Sequence, residues 1–261
     1  MPGVATVAGE DYVGRPRPRD VMKRTEGARG GARPASVSRE RAQCACHNRP
    51  MDDEREAQPA AGRSRGEYAA YFAYLMRRKR LGLLYRNVWL YPRLARHLPG
   101  KALDVGCGIG DFVRFRPHTM GVDVNPEAVG FCAEQGLDVR LMRPDELPFG
   151  DGTFDSVNLD NVLEHLEHPQ KLLAEIRRVL APDGVLLVGV PGERGFASDP
   201  DHKRHYPQAR LVECLRSAGF EPRRLFHQPF RSKLLDRRFR YYALYGLFGR
   251  GAVGEDHVEQ K

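Results

Sequence analysis

The 261-residue chain has few cysteines and no long hydrophobic run. Its five cysteines show no spacing typical of a disulfide framework, which favours a reducing, cytoplasmic compartment. No run of 18 or more apolar residues predicts a transmembrane helix, and the first 20 residues lack the apolar core of a secretory signal. We therefore expect a cytoplasmic protein whose contact with a membrane, if it has one, is peripheral.

The net charge of +8 is unevenly distributed along the chain. Residues 1–100 contain 20 Lys/Arg and 10 Asp/Glu, residues 101–200 contain 9 and 17, and residues 201–261 contain 13 and 7. Because the middle of the chain is acidic, the basic total does not indicate a nucleic-acid-binding protein, and no DNA partner is expected. The basic flanks are compatible with an anionic membrane surface.

The first part of the chain predicts little packed structure. Residues 1–65 are rich in Arg, Gly, Pro, Ser and Ala without a sustained hydrophobic period, which predicts a disordered tail. Met51 offers an alternative start, in which case the tail is an over-long gene start. The run Cys44-Ala-Cys46-His47 has no second ligand pair at finger spacing, so no metal site is predicted there.

Residues 66–98 predict a helical cap. Its aromatic and aliphatic side chains recur at positions i, i+3, i+4 and i+7, which is one face of a helix: Tyr68, Tyr71, Phe72 and Leu75. A basic run follows at residues 77–80, before an apolar pattern resumes with Leu81, Leu83, Leu84 and Trp89. The basic run is either a solvated turn or part of a surface for anionic lipid or a phosphate-bearing substrate.

Residues 99–230 alternate strand and helix signals, which predicts a doubly wound, mostly parallel α/β sheet of Rossmann-like type. Asn125-Pro126-Glu127 is a helix start, with an N-cap residue, Pro at the first position and an early acid. We assign residues 231–261 to a basic aromatic C-terminal segment, with a helix expected over residues 233–250.

The stretch KALDVGCGIGDF at residues 101–112 carries three glycines at alternate positions, Gly106, Gly108 and Gly110. Such glycines follow a strand where the backbone turns sharply or a ligand approaches closely. The spacing differs from the dinucleotide pattern G-x-G-x-x-G, and Asp104 would repel a pyrophosphate at the following helix N-terminus. An adenosyl ligand with a cationic amino-acid tail suits the glycines and the acid together.

Further polar residues lie at the predicted carboxyl ends of neighbouring strands, where ligands bind in such sheets. Asp123 ends the second strand, where a carboxylate accepts hydrogen bonds from ribose hydroxyls, and Asp160 and Asn161 end the fourth.

Four segments, in order, resemble the class I S-adenosylmethionine-dependent methyltransferases: ALDVGCGIGDF, GVDVNPEAV, DELPFGDGTFDSVNLDNVLEHLEHP and IRRVLAPDGVLLVGVP. The similarity spans about residues 85–225 and is closest to the type 11-like, small-molecule branch that includes quinone-biosynthesis-type enzymes. The resemblance implies S-adenosylmethionine as cofactor. It also implies these cofactor-binding residues: Asp104 for the loop and the amino group, Gly106, Gly108 and Gly110 for the methionine part, Asp123 for the ribose, Val124 for the adenine, and Asp160 and Asn161 beside the sulfonium.

One position departs from the family pattern. Many relatives hold the adenine amino group with an acid before the Leu-Pro-Phe turn, whereas this chain has Arg143 there, followed by Asp145 and Glu146. The amino group is expected to meet either a backbone carbonyl or one of these two acids.

Methyl transfer from a sulfonium needs positioning above all, and a general base if the acceptor is a hydroxyl. Two His-x-x-His pairs supply candidates, and an aromatic residue follows the second pair. We expect the catalytic residues among His165, His202, His205 and Tyr206. The two pairs could meet around a metal, but Pro169 suggests a helix boundary beside the first pair, and no metal is predicted. His165 could instead be a structural histidine.

These observations predict a methyltransferase for a small-molecule or a lipid- or saccharide-linked acceptor. An RNA or protein methyltransferase is an alternative that the basic flanks allow, although neither an RNA-binding module nor an Asn-Pro-Pro-Tyr-type motif is present. A non-catalytic partner protein that retains the cofactor pocket is a further alternative.

Overall fold

The computed structural model describes residues 64–77 and 80–251. The tail predicted over residues 1–65 therefore lies almost wholly outside the described residues, as do the Cys44-Ala-Cys46-His47 run and residues 252–261. No helix in the described part of the chain is both long and apolar enough to cross a membrane.

A seven-stranded sheet forms the centre of the described structure, with the strand order β3-β2-β1-β4-β5-β7-β6. The strands are β1 (Ala102–Val105), β2 (Thr119–Asp123), β3 (Val139–Leu141), β4 (Phe154–Asp160), β5 (Leu180–Pro191), β6 (Phe220–Gln228) and β7 (Ala243–Arg250). β1 to β5 pair in parallel, whereas β7 runs antiparallel between β5 and β6. The predicted doubly wound, mostly parallel sheet is confirmed.

Both faces of this sheet are covered, as two consecutive residues of β5 show. Leu186 belongs to a buried cluster with Leu103 and Val157. Leu187 belongs to a second buried cluster, with Tyr245. Because successive side chains of a strand point to opposite faces, a separate cluster around each residue requires a packed layer on each side of β5.

Nine α-helices are present in the described part of the chain. They are α1 (Arg65–Met76), α2 (Arg80–Tyr85), α3 (Tyr91–Ala95), α4 (Asp111–Phe115), α5 (Pro126–Glu134), α6 (Gln170–Val179), α7 (Glu193–Phe196), α8 (Gln208–Ser217) and α9 (Lys233–Arg238). A π-helical turn, Arg86–Leu90, joins α2 to α3, and a 3-10 turn, Leu163–His165, follows β4. The predicted start of α5 is confirmed, since the Asn125 side chain accepts hydrogen bonds from the backbone N–H groups of Glu127 and Ala128.

The predicted helical cap is present as α1, α2, the π-helical turn and α3. Tyr68 and Leu75, on the predicted apolar face of α1, are buried, and Phe72 packs against Phe131 of α5. The Asn125 side chain donates a hydrogen bond of 3.0 Å to the carbonyl oxygen of Tyr68. Asn125 therefore caps α5 and also fixes α1 above the carboxyl ends of β1 and β2.

The helix expected over residues 233–250 is wrong in its second half. Only α9 is helical, and Ala243–Arg250 forms β7. The first seven residues of β7 are buried, so both faces of this strand are covered. A strand buried on both faces has no alternation of apolar and polar residues, and its sequence therefore resembles that of a buried helix. The sheet consequently continues to Arg250, beyond the boundary expected at residue 230.

Candidate active site

The glycine loop lies between β1 and α4. Gly106, Gly108 and Gly110 have φ angles of 73°, 55° and 74°, in the left-handed region that favours glycine. A Cβ at Gly106 would lie 2.5 Å from Cγ2 of Val162, so the loop has no space for a side chain there. Gly106 and Gly108 line a large cavity, whereas Gly110 is the N-cap residue of α4.

Asp104 lies below this loop on β1, directly beside Asn158 of β4. The Asn158 amide donates a hydrogen bond of 2.7 Å to the Asp104 carboxylate. Burial raises the pKa of Asp104 to about 8; the Asn158 hydrogen bond acts in the opposite direction, and the nearby acids Asp160, Asp123 and Asp111 raise the pKa further. The site therefore favours a cationic group beside Asp104.

Asp123 ends β2 and connects the loop to the start of α5. Its carboxylate accepts hydrogen bonds from the backbone N–H of Gly108 at 2.7 Å and of Asn125 at 2.8 Å. These two bonds fix the carboxylate at the cavity wall, next to Val124.

The cavity has a volume of about 1070 Å³. It extends from the glycine loop to a region rich in aromatic and histidine side chains. The side chains of this region include Tyr71, Tyr85, Tyr241, Tyr245, His165 and His202. Seven of the eight predicted cofactor residues line it, Gly110 being the exception.

Asp160 and Asn161 end β4 and also line the cavity. The Asn161 amide donates to the Asp160 carboxylate at 2.9 Å, and Asn161 has a φ of 57°. Tyr245 of β7 is hydrogen-bonded to Asp160; burial, together with this carboxylate, raises the pKa of Tyr245 well above its usual value. The strand missed by sequence reasoning thus contributes a side chain to the site.

Arg86 is a cavity residue that sequence reasoning also missed. It lies in the π-helical turn, 4.0 Å from the carboxylate of Asp111. Burial lowers the pKa of Arg86, but Tyr91 and Asp160 raise it by more, so the net shift is upward. A fixed positive charge therefore lies among the acids of the cavity.

The two predicted histidine pairs contribute one residue each to a cluster at the cavity wall. The rings of His165 and His202 are 4.7 Å apart, and Glu164 is buried beside them. Nδ1 of His165 is 3.2 Å from the Asp201 carboxylate, and Nδ1 of His202 is 2.8 Å from the carbonyl oxygen of Phe196. Burial lowers the pKa of His165.

His205 and Tyr206, the other two expected catalytic residues, do not line the cavity. The His205 ring packs against Phe196 with the ring centroids 5.1 Å apart. Tyr206 is buried in the hydrophobic core with Leu211 and Leu215, and burial raises its pKa to about 12. α8 begins directly after Pro207, the residue that follows Tyr206.

Arg143, Asp145 and Glu146 have exposed side chains. Arg143 is exposed and pairs with Glu146 at 3.1 Å, while Asp145 lies 3.9 Å from Lys171 on the surface. None of these three side chains lines the cavity, whose wall here is formed by Met142 and Pro144.

Comparison with known proteins identifies the family. A model of the methyltransferase domain matches residues 103–188. An uncharacterized protein of Methanocaldococcus jannaschii is 35% identical over 140 residues, 49% of this chain and 68% of that protein. A probable S-adenosylmethionine-dependent methyltransferase of Mycolicibacterium smegmatis is 33% identical over 162 residues, 54% of this chain and 62% of that protein.

Solved structures share the fold. The 1,6-didemethyltoxoflavin-N1-methyltransferase of Burkholderia thailandensis, solved with 1,6-didemethyltoxoflavin and S-adenosylhomocysteine, matches with a TM-score of 0.51 and 22% identity over 72% of this chain and 87% of that one. A methyltransferase of Thermotoga maritima matches with a TM-score of 0.56 and 18% identity over 69% and 98%. The chain belongs to the class I S-adenosylmethionine-dependent methyltransferases, and its cofactor is S-adenosylmethionine.

The residues of the cavity fit that cofactor. Asp104 offers a buried carboxylate to an ammonium group, and the left-handed glycines leave the backbone without side chains beside it. Asp123 offers a carboxylate on the cavity wall to ribose hydroxyls.

Proposed function

We propose that this enzyme methylates a small-molecule acceptor, or a small headgroup carried by a lipid or saccharide. The observation that carries the proposal is the cavity, which continues past the glycine loop into an aromatic region. Its volume of about 1070 Å³ is slightly above the roughly 300–1,000 Å³ of ordinary ligand pockets. That volume has room for a cofactor and a second small molecule together.

In this proposal the loop side of the cavity holds the cofactor. Asp104 binds its ammonium group, Asp123 binds the ribose hydroxyls, and Val124 lies against the adenine. The backbone around residues 142–144 accepts from the adenine amino group, because the nearby acidic side chains lie outside the cavity.

Asp160 and Asn161 lie between the two regions and border the methionine part. The cofactor supplies an electrophilic methyl group on a positively charged sulfur. The Asp160 carboxylate, held by Asn161 and Tyr245, favours positive charge at this point.

The tyrosine- and histidine-lined side holds the acceptor. Tyr71, Tyr85 and Tyr241 offer flat apolar surfaces with polar hydroxyls, which suit an aromatic or conjugated ring. His165 and His202 remain the catalytic candidates that reach the cavity. The lowered pKa of His165 keeps its imidazole neutral near pH 7, the state needed to accept a proton.

We further propose that the enzyme contacts an anionic membrane surface, which would give it access to a lipid-linked acceptor. Large apolar side chains are exposed on α2, the π-helical turn and the segment around α9: Leu81, Leu84, Val88, Trp89, Phe230 and Leu234. The helical region around residues 85–89 contacts the chain on either side of α9. The Trp89 indole N–H donates to the Gln228 side chain at 3.3 Å, and the rings of Tyr85 and Tyr241 are 5.7 Å apart.

Charge favours the same partner. Residues 68–98 contain seven Lys/Arg and no Asp/Glu. Residues 229–241 contain five Lys/Arg and one acid, Asp236. Basic residues around exposed apolar side chains are typical of surfaces that bind anionic lipid headgroups.

Two measurements test the enzymatic proposal. Calorimetry with S-adenosylmethionine should show binding that Asp123→Ala weakens at least about tenfold, through loss of the ribose hydrogen bonds. Asp138→Ala, which removes an exposed acid before β3, is the matched control and should bind as the unaltered chain does. Unchanged binding by Asp123→Ala would contradict the assigned cofactor position.

The acceptor class is tested with S-adenosylmethionine labelled in its methyl group. The enzyme is incubated with separated metabolite, lipid, RNA and protein fractions of a cell lysate. Label in the metabolite or lipid fraction supports the proposal, whereas label confined to RNA or protein overturns it.

A further inference from the structure

A buried carboxylate and two imidazoles converge at the wall of the acceptor region. Glu164 and His165 lie in the 3-10 turn after β4, and His202 lies in the loop between α7 and α8. One candidate ligand atom from each of the three side chains lies within 4.8 Å of the others. Nε2 of His202 is 3.8 Å from Oε1 of Glu164.

The two imidazoles of the cluster use Nδ1 for hydrogen bonds to other residues. Nδ1 of His165 and Nδ1 of His202 each meet an oxygen acceptor, Asp201 Oδ2 and the Phe196 carbonyl, so each Nδ1 carries the ring proton. In a ring that is protonated at Nδ1 alone, Nε2 is an acceptor. Both carboxylate oxygens of Glu164 are buried, with no hydrogen-bond partner among the described residues.

We propose that Glu164, His165 and His202 bind a divalent transition-metal ion such as Zn²⁺ or Mn²⁺. Two imidazoles and one carboxylate form a common three-residue ligand set for such ions, with further positions open to water or substrate. Ligand atoms about 2.1 Å from a tetrahedral ion are about 3.4 Å apart, so small side-chain rotations close the observed gaps. A cation also compensates the burial of the Glu164 carboxylate, to which no described residue donates a hydrogen bond.

The surroundings match those of metal-binding histidines. Such residues usually donate their second ring N–H to a carboxylate or a backbone carbonyl, as Asp201 and Phe196 allow here. The carbonyl oxygen of Glu164 accepts from the backbone N–H groups of Lys203, at 2.7 Å, and Arg204, at 3.0 Å. These bonds tie the His202 loop to the turn that carries the other two ligands, so the backbone holds the three residues together.

The ion would be reached from the acceptor region, because His165 and His202 line the cavity. This inference rests on the proposed function, with His165 and His202 as ligands of the ion instead of proton acceptors. The open coordination positions of the ion would bind a hydroxyl oxygen of the acceptor. A divalent ion would lower the pKa of the bound hydroxyl, whose proton would pass to solvent water. The oxygen would then take the methyl group, and the sulfonium would leave as the thioether S-adenosylhomocysteine. Metal binding itself is independent of the acceptor and is tested without it.

The experiment is a Co²⁺ titration of the full chain, produced without a polyhistidine tag, followed by visible absorption. Cys44→Ser and Cys46→Ser are included so that the Cys-x-Cys-His run near the N-terminus cannot contribute. One equivalent of Co²⁺ is expected, with absorption bands of a tetrahedral or five-coordinate ion, and Zn²⁺ should displace it. His202→Ala and Glu164→Gln should each weaken Co²⁺ binding by at least about 100-fold.

His168→Ala is the matched control, because His168 is exposed, lies in the same motif and does not belong to the cluster. It should bind Co²⁺ as its parent does. Asp201→Asn should cause a smaller loss, about tenfold, since Asp201 orients His165 without binding the ion. Calorimetry with S-adenosylmethionine on each variant verifies that the cofactor site is still folded.

The main competing arrangement is a protonated Glu164 that donates to Nε2 of His202. In that case Co²⁺ would not bind up to millimolar concentration, which overturns the proposal. Co²⁺ binding that is equal in His202→Ala, Glu164→Gln and their parent would likewise overturn it. Failure here leaves the S-adenosylmethionine and acceptor measurements unaffected, so the two proposals can fail separately.

Discussion

The side chain of Asn158 donates a hydrogen bond of 2.7 Å to the carboxylate of Asp104, its register partner on the neighbouring strand. The pair joins β1 to β4 directly below the glycine loop. Burial holds the pKa of Asp104 at about 8 in the cofactor-free protein, so near pH 7 this carboxyl group is mostly protonated. A cationic ligand reverses that preference.

Cofactor binding should therefore release a proton from Asp104. The ammonium group of S-adenosylmethionine favours the carboxylate and lowers its pKa, so affinity should rise with pH by up to about tenfold per unit between pH 5.5 and 7. An α-amino group stays charged over that range. Calorimetry in buffers with different ionisation enthalpies measures the released proton directly.

Asp104→Asn is the control for this proton. The amide cannot titrate, so the variant should bind more weakly, with an affinity that no longer rises with pH. Proton release by Asp104→Asn equal to that of the unaltered chain would assign the proton to another group.

The free energy of unfolding of the cofactor-free protein should also depend on Asp104, but it should fall as the pH rises. The pKa of Asp104 is raised on folding, from 3.8 to about 8, so its contribution to stability is complete below about pH 4 and is lost as the pH rises towards 8. Urea unfolding at pH 5.5 and pH 8 should show a fall in the free energy of unfolding that is smaller in Asp104→Asn. An equal fall in both proteins would contradict the raised pKa.

The cofactor side of the site could be predicted from the sequence because short motifs carry it. Asp104, Gly106 and Gly108 are contiguous with β1, and Asp123 ends the next strand along the chain. In a parallel sheet the carboxyl ends of such strands meet at one edge, so motif spacing alone brings these residues together. Each of these residues lines the cavity, and their contacts with the cofactor stay predictions.

The acceptor side could not be predicted to the same degree, because loops and long-range pairing build it. The direction of a loop side chain has no sequence period, and so His202 faces the cavity while Tyr206, four residues later, enters the core. Arg86 belongs to no motif and is positioned by a π-helical turn. Tyr245 reaches Asp160 only because β7 inserts beside β5.

The loop geometry predicts a large effect of a single methyl group at Gly106. Gly106→Ala places a Cβ 2.5 Å from Val162 in a residue with a φ of 73°, so the loop must shift. We expect the variant to unfold at lower temperature and to bind S-adenosylmethionine at least about tenfold more weakly. Gly130→Ala is the matched control: Gly130 is exposed in α5 with no heavy atom within 4 Å of the new Cβ, and it should gain about 1 kcal/mol of stability.

Membrane contact through the exposed apolar side chains should depend on both charge and apolar area. The full chain should bind vesicles of phosphatidylcholine mixed with phosphatidylglycerol, less so as salt is raised, and should bind pure phosphatidylcholine weakly. Leu81→Asp with Leu84→Asp should reduce cosedimentation with the mixed vesicles several-fold, because it removes exposed apolar area and adds negative charge. Gln170→Asp with Ala174→Asp adds the same charge at exposed positions of α6 and should leave binding nearly unchanged. Equal losses in both double variants would mean that net charge alone governs binding, and that α2 does not contact the lipid.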